Sequence, residues 1–518
     1  ATPGSLIPQH LPGAVQRGTE HFFEDSVREV QPIQMAGIAL GVGGLTYGLA
    51  RVESALTNAS SKMATVIVGG EPQDHRLAGR VTALGISFAV AYVALTRVSD
   101  LLSKGGDAIE PGHSTPPTAP EITGSPASGL AWSKQTREGA RWLSMTLPPT
   151  AINDVMQESG AKQPIRVYAS LEIADTDAAR AEVLLHEIDR TQALQRKAIA
   201  LFSPTGSGYV NYVANETFEY LMRGDCASAA IQYSVLPSAL SLGKVPTGTT
   251  QTRMVVDGIV SRLMKMPEQE RPLFFLFGES LGSQVSEDMF AGTWTYGPQG
   301  IGIDAALWIG TPSATRWRKE LWGNRTITQT PDVGPGSLYL PRSIHDWREL
   351  DQEARQQIRY LLLQNGDDPI PKFGSQVLWR KPDWLGPDRQ LGAPHGTQWV
   401  PGTTFLMTFI DMLNALTPTP GTFAEGGHDY RDVIPDALRE TWRLDATDEQ
   451  MSRINIALRQ RELAWELHRD RTAALAKPAA EQAEAMKKVL ATATKYVGHD
   501  IDETQLVALI DAGLQPTT

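Results

Sequence analysis

Cysteine is almost absent from these 518 residues: Cys226 stands alone, so no intrachain disulfide can form and no cysteine-rich metal site can be built. Basic residues are in deficit as well, with 47 Lys and Arg against 58 Asp and Glu, a formal charge of −11 and a pI near 5.5. Such a surface repels a phosphate backbone, which excludes nucleic acid as an expected partner. Residues 1–13 have neither the basic start nor the apolar run of a signal peptide. What is present, 41% hydrophobic and 20% charged residues, is the composition of a folded chain with a sizeable core and room for extensions.

Four regions follow one another: an apolar-rich helical region over 1–104, a linker over 105–129, a catalytic domain over 130–435 and a helical extension over 436–518. In the first, residues 30–50 and 81–96 are uncharged, the second flanked by Arg80 and Arg97. A membrane span needs roughly 20 apolar residues, so the first is long enough and the second works if its arginines reach the interfaces. Gly37 with Gly41, and Gly44 with Gly48, let helix backbones approach closely in lipid. The alternative is a buried Gly/Ala-rich soluble helix pair. If both stretches cross, Arg51, Lys62, Arg76 and Arg80 place the loop between them in the cytoplasm and the catalytic domain outside it.

Beyond the Pro-, Gly- and Ser-rich linker, short apolar runs at 164–171, 198–202, 229–233, 273–277, 305–309 and 359–363 suit buried parallel strands. Helical spacing between them, as in 175–197 and 250–266, predicts βαβ units and a doubly wound, mostly parallel α/β sheet. Past Pro435 the chain is charged and helix-prone, with no strand signal.

The run 273–277 leads straight into Gly278-Glu279-Ser280-Leu281-Gly282 and then a helical stretch. A Gly-x-Ser-x-Gly corner between strand and helix lifts its serine above the sheet, which makes Ser280 the candidate nucleophile. A plain turn serine is the competing reading. The acid should follow a later strand, and Asp367 and Asp368 follow the run 359–363. Asp368 is preferred because Pro369 drives it towards extended backbone. A histidine after the acid is the candidate base: His428, in the glycine-rich Glu425-Gly-Gly427-His428, ranks ahead of His395, while His468 and His499 lie in the helical extension. The expected oxyanion donors are the Leu281 N–H and that of Thr205 or Gly206, with Tyr233, Leu236, Trp308 and Phe405 as candidate pocket walls.

These motifs, with Gly124-Ser-Pro-Ala-Ser128, Gly139, Arg141, Pro164-Ile-Arg-Val-Tyr168, Gln232-Tyr-Ser-Val-Leu-Pro237 and Arg380-Lys-Pro-Asp-Trp384, resemble a bacterial family of membrane-associated α/β-hydrolases whose members carry N-terminal transmembrane helices. The resemblance implies Ser280, Asp368 and His428 as a triad and favours membrane anchorage of the N-terminal region. Gln364-Asn-Gly-Asp367 departs from the histidine-containing lead-in expected before the acid, and the tail is longer than the family needs. The expectation is a cofactor-free, metal-free serine esterase or lipase acting on a small-molecule or lipid acyl ester. It sits at a bacterial cell membrane with its catalytic domain on the extracytoplasmic side, and homo-oligomerisation is compatible with it. An acyltransferase on the same triad and a catalytically vestigial scaffold are the alternatives.

Overall fold

A computed structural model describes residues 57–59, 61–63, 65, 66, 69, 71, 108–322, 337–341, 344–386, 397–415, 419–424 and 426–514. The chain divides at Leu102, with Ile7–Leu102 as the smaller unit and Ser103–Thr518 in the larger one. The stretches 30–50 and 81–96 lie outside the described residues, and among those described no helix is long and apolar enough to cross a membrane.

The larger unit is built on seven strands: β1 Ile165–Ala169, β2 Ala198–Ser203, β3 Cys226–Ile231, β4 Leu273–Glu279, β5 Ala305–Ile309, β6 Ser337–Tyr339 and β7 Ile358–Leu363. Every neighbouring pair is parallel, in the order β1-β3-β2-β4-β5-β7-β6. Five strands coincide with apolar runs of the sequence, and β3 begins three residues before the run at 229–233. β6, three residues at the edge, matches none of them, because a strand that short carries no pattern.

Both faces of the sheet are covered, and the pleat sorts the side chains. In β4, Phe275 and Phe277 join a cluster with Phe218, Trp442, Ile454 and Leu458. Phe274 and Leu276 point the other way, to Leu184, Val255 and Ile259. Alternation with a period of two produces this division, and each large apolar side chain so buried contributes about 1.5–3 kcal/mol.

The region read as an extension is helical in its described part: Ile434–Thr441, Asp448–Leu475, Ala479–Val497 and Glu503–Leu514. The 28-residue helix Asp448–Leu475 starts on a capping box between Thr447 and Gln450, which satisfies two orphan N–H groups at once. Its Met451, Ile454 and Leu458 recur at helical spacing and enter the core beside Trp442. The described part of the stretch read as a linker, 108–129, lies along the same unit. Ile122 bridges to Arg166 in β1, and the Thr123 and Ser128 hydroxyls both donate to Glu187 at 2.9 Å.

Candidate active site

β4 ends at Glu279 and the helix Leu281–Asp288 follows, so the chain turns through Ser280 alone. Ser280 has φ +52° and ψ −123°, a backbone region that strains any side chain by roughly 1–3 kcal/mol. The flanking glycines make the corner possible. A Cβ on Gly278 would lie 2.8 Å from the Ser283 Cα, and one on Gly282 would lie 2.2 Å from the Ser203 carbonyl oxygen at the end of β2. Ser280 N–H donates to the carbonyl of Ile309 in β5 at 2.9 Å, and Ser283 Oγ donates to the same oxygen at 3.0 Å. The corner is thereby pinned to the neighbouring strand.

The loop after β7 holds the two aspartates differently: Asp368 is fully buried and Asp367 is exposed. Asp368 Oδ1 accepts the Ile370 N–H at 2.8 Å. Its Oδ2 accepts the Tyr430 hydroxyl at 2.7 Å and lies 2.8 Å from His428 Nδ1. Asn365 ties the acid loop to the histidine loop, donating its N–H to the Tyr430 oxygen at 3.0 Å and its side-chain amide to the Gly427 carbonyl at 3.0 Å. The His428 ring lies against Gly310, where a Cβ would come within 2.6 Å of His428 Cε1. Gly310 directly follows Ile309, the residue that holds the Ser280 N–H. Hydroxyl-bearing corner, imidazole and carboxylate therefore gather at the carboxyl ends of β4, β5 and β7. His395 lies outside the described residues, and His468, in the helical extension, reaches the carbonyl of Gly112.

Burial by itself would lower the pKa of His428, but the Asp368 carboxylate outweighs it, with Glu279 and Asp429 adding to the same effect, and holds the imidazole above its ordinary value. Glu279 accepts a hydrogen bond from Asn211 Nδ2 at 3.1 Å. Its own pKa is raised by burial, against the pull of His428 and Asn211. A general base must be neutral to take a proton, so the acid limb of kcat/KM for an ester substrate is expected to be centred above the usual histidine range. Glu279→Gln removes a charge that favours the imidazolium and is expected to move that limb to lower pH. A limb that stays in place would show that Glu279 does not act on the base.

Of the expected oxyanion donors, Leu281 opens the helix, where the first N–H groups have no intrahelical acceptor. Thr205 departs from expectation: its N–H is spent on the Tyr209 carbonyl at 2.8 Å. Gly206 is the remaining candidate on that turn, its carbonyl held by Ser241 Oγ at 3.2 Å.

The expected pocket walls separate. Tyr233 packs with Val245, Leu281 and Val285, directly against the helix Leu281–Asp288 that follows Ser280. Leu236 is half-buried nearby, its carbonyl accepting from Ser241 Oγ at 2.8 Å. Phe405 stacks near Phe373 and Phe409, with ring centroids 5.2 and 6.4 Å away, and Phe373 N–H donates to Pro369 O at 2.9 Å in the acid loop. Trp308 is no wall at all. It is fully buried between Phe290 and Trp317, donating Nε1–H to Ser286 Oγ at 3.0 Å. Alternation along β5 explains the difference, since Leu307 and Ile309 take the face shared with Tyr430 and Trp308 takes the other.

Sequence reasoning passed over Tyr430, Asn365, Glu279 and Asn211. Tyr430 lies two residues beyond His428, just after the turn closed by the Gly426–Asp429 bridge, and both side chains reach Asp368 Oδ2. Asn211 and Asn365 carried no signal, because their partners are distant in sequence. No curated protein and no solved structure matches the chain. A family model described as the alpha/beta-hydrolase family matches residues 165–454, more than half of the chain, and the protein belongs to that family.

Proposed function

We propose that the protein is a serine hydrolase of ester-like acyl compounds, with Ser280 as nucleophile, His428 as base and Asp368 as its orienting acid. The observation that carries this reading is the His428–Asp368 pair at 2.8 Å, seated against Gly310 beside the carbonyl that holds Ser280. His428 takes the Ser280 proton as Oγ attacks the acyl carbonyl, then returns it to the departing alcohol. Water repeats the sequence on the acyl-enzyme and releases the acid. The Leu281 N–H, with Gly206 as second donor, faces the oxyanion. The Phe373, Phe405 and Phe409 rings beside the acid loop favour an apolar, lipid-like acyl chain. The uncharged stretches 30–50 and 81–96 supply, in this proposal, attachment to a bacterial membrane with the hydrolase on its extracytoplasmic side.

A fluorophosphonate probe is expected to modify the full chain at one site, with the adduct found by mass spectrometry on the peptide containing Ser280. A folded protein that takes up no probe would end the proposal.

A further inference from the structure

The turn that carries His428 has little rigidity of its own. Gly426 and Gly427 precede the histidine at φ +101° and +61°, in a region where glycine is free to move. A backbone bridge between Gly426 and Asp429 closes the turn. A base on such a turn needs a further hold, since a misplacement of about 1 Å costs roughly a hundredfold in rate. Arg431 supplies it. Its Nε and Nη2 donate to the two carboxylate oxygens of Asp429 at 2.8 and 2.6 Å, and Nη2 also donates to the Thr422 carbonyl at 2.9 Å. Asp429 in turn accepts the Ala424 N–H at 3.2 Å. One guanidinium thus ties together the chain on both sides of the turn, a task that suits the planar fork of arginine and not the point charge of lysine.

Arg431 is itself anchored from another element. Glu462, in the helix Asp448–Leu475, accepts from Arg431 Nη1 and from the Tyr212 hydroxyl on one oxygen, and from the Gly421 N–H at 2.8 Å on the other. Three residues earlier in that helix, Arg459 donates to Asp432 at 2.6 Å. The Arg431 and Arg459 guanidiniums both approach the Phe423 ring, 4.8 and 4.5 Å from its centre. Arg431 and Glu462 are only 5% and 9% exposed, so water is poorly placed to take over their contacts. Residue 462 lies beyond the stretch 165–454 that matches the family model. The hold on the histidine turn therefore comes from a part of the chain that the family likeness does not cover.

We propose that Arg431 and Glu462 are positioning residues for the base: Glu462 fixes Arg431 from the helix, and Arg431 fixes the turn that aims His428 at Ser280. This role rests on the reading of His428 as the base. Both residues act through the Asp429 turn, by setting where His428 Nε2 stands, and take no part in the bond-making steps.

Steady-state kinetics with a chromogenic acyl ester, on the full chain and well below each variant's unfolding transition, tests the assignment. Glu462→Gln keeps the volume but cannot accept at both positions, and Arg431→Lys keeps the charge but loses the fork. Each is expected to lower kcat roughly ten- to a hundredfold with KM within about twofold. Arg461→Met, at the adjacent residue of the same helix, breaks the buried pair with Glu216 and should lower the melting temperature while leaving kcat in place. In a His428→Ala background, where no imidazole remains to be aimed, Glu462→Gln should cost less than about twofold more. Unchanged kcat in both Glu462→Gln and Arg431→Lys, beside an inactive His428→Ala, would overturn this role alone. So would an equal kcat loss in Arg461→Met, or the full loss repeated in the His428→Ala background, since either marks a general loosening of the fold. A fully active His428→Ala would overturn the base and its positioning residues together.

Discussion

Ser280→Ala is expected to lower turnover of a chromogenic acyl ester by at least about 10⁴-fold while leaving the melting transition where it was. The residual rate would come from oxyanion donors and substrate binding, which survive loss of the nucleophile. Structural change is not expected, because the Ser280 side chain makes no capping hydrogen bond and alanine tolerates the positive φ no better and no worse than serine. Steady-state kinetics with thermal unfolding of the same sample gives both numbers. Activity within tenfold of the unmodified protein would remove Ser280 from the role of nucleophile.

Asp368→Asn is expected to cost about 10⁴-fold in kcat with little change in KM. The reason lies in the donors around the carboxylate. Ile370 N–H can still be accepted by the amide oxygen, but the amide nitrogen then meets both the Tyr430 hydroxyl and His428 Nδ1. Tyr430 can turn and accept. His428 can accept only by shifting its proton to Nε2, the nitrogen that must be bare to receive the serine proton. Asp367→Asn, at the exposed neighbour, should behave like the unmodified enzyme, and an equal loss at both positions would point to a collapsed loop instead of a misplaced tautomer.

Legibility from sequence followed the physics of each element. β4 and β5 stand out because strands buried on both faces are unbroken apolar runs. β3 was displaced to 229–233 because Cys226-Ala-Ser-Ala-Ala230 consists of small residues with no periodicity. The corner at Ser280 was visible because its two glycines answer to local collisions, one with the following turn and one with β2. Asp368 was preferred over Asp367 on its backbone tendency before proline, and the structure buries it while exposing the other. Trp308 was misplaced because hydrophobicity does not say which face of a strand a residue takes; that depends on register with β4 and β7. Thr205 was misjudged for a similar reason, since the fate of one N–H depends on how the turn closes at Tyr209.

The ion pair at the heart of the C-terminal helix limits how the protein can be shortened. Arg461 and Glu216 are 4% and 1% exposed and meet at 2.9 Å, and Arg461 also reaches the carbonyls of Met145 and Leu514. A chain trimmed where the family likeness stops, at residue 454, would end inside that helix, removing Arg461 from Glu216 and Leu458 from the core cluster it shares with Phe275 and Trp442. Loss of one buried leucine such as Leu458 costs about 2–5 kcal/mol, a large part of what holds an ordinary domain together. The smallest autonomous unit in this polypeptide is therefore longer than its recognisable part, and the helix Asp448–Leu475 is as much a condition of the sheet as the strands themselves.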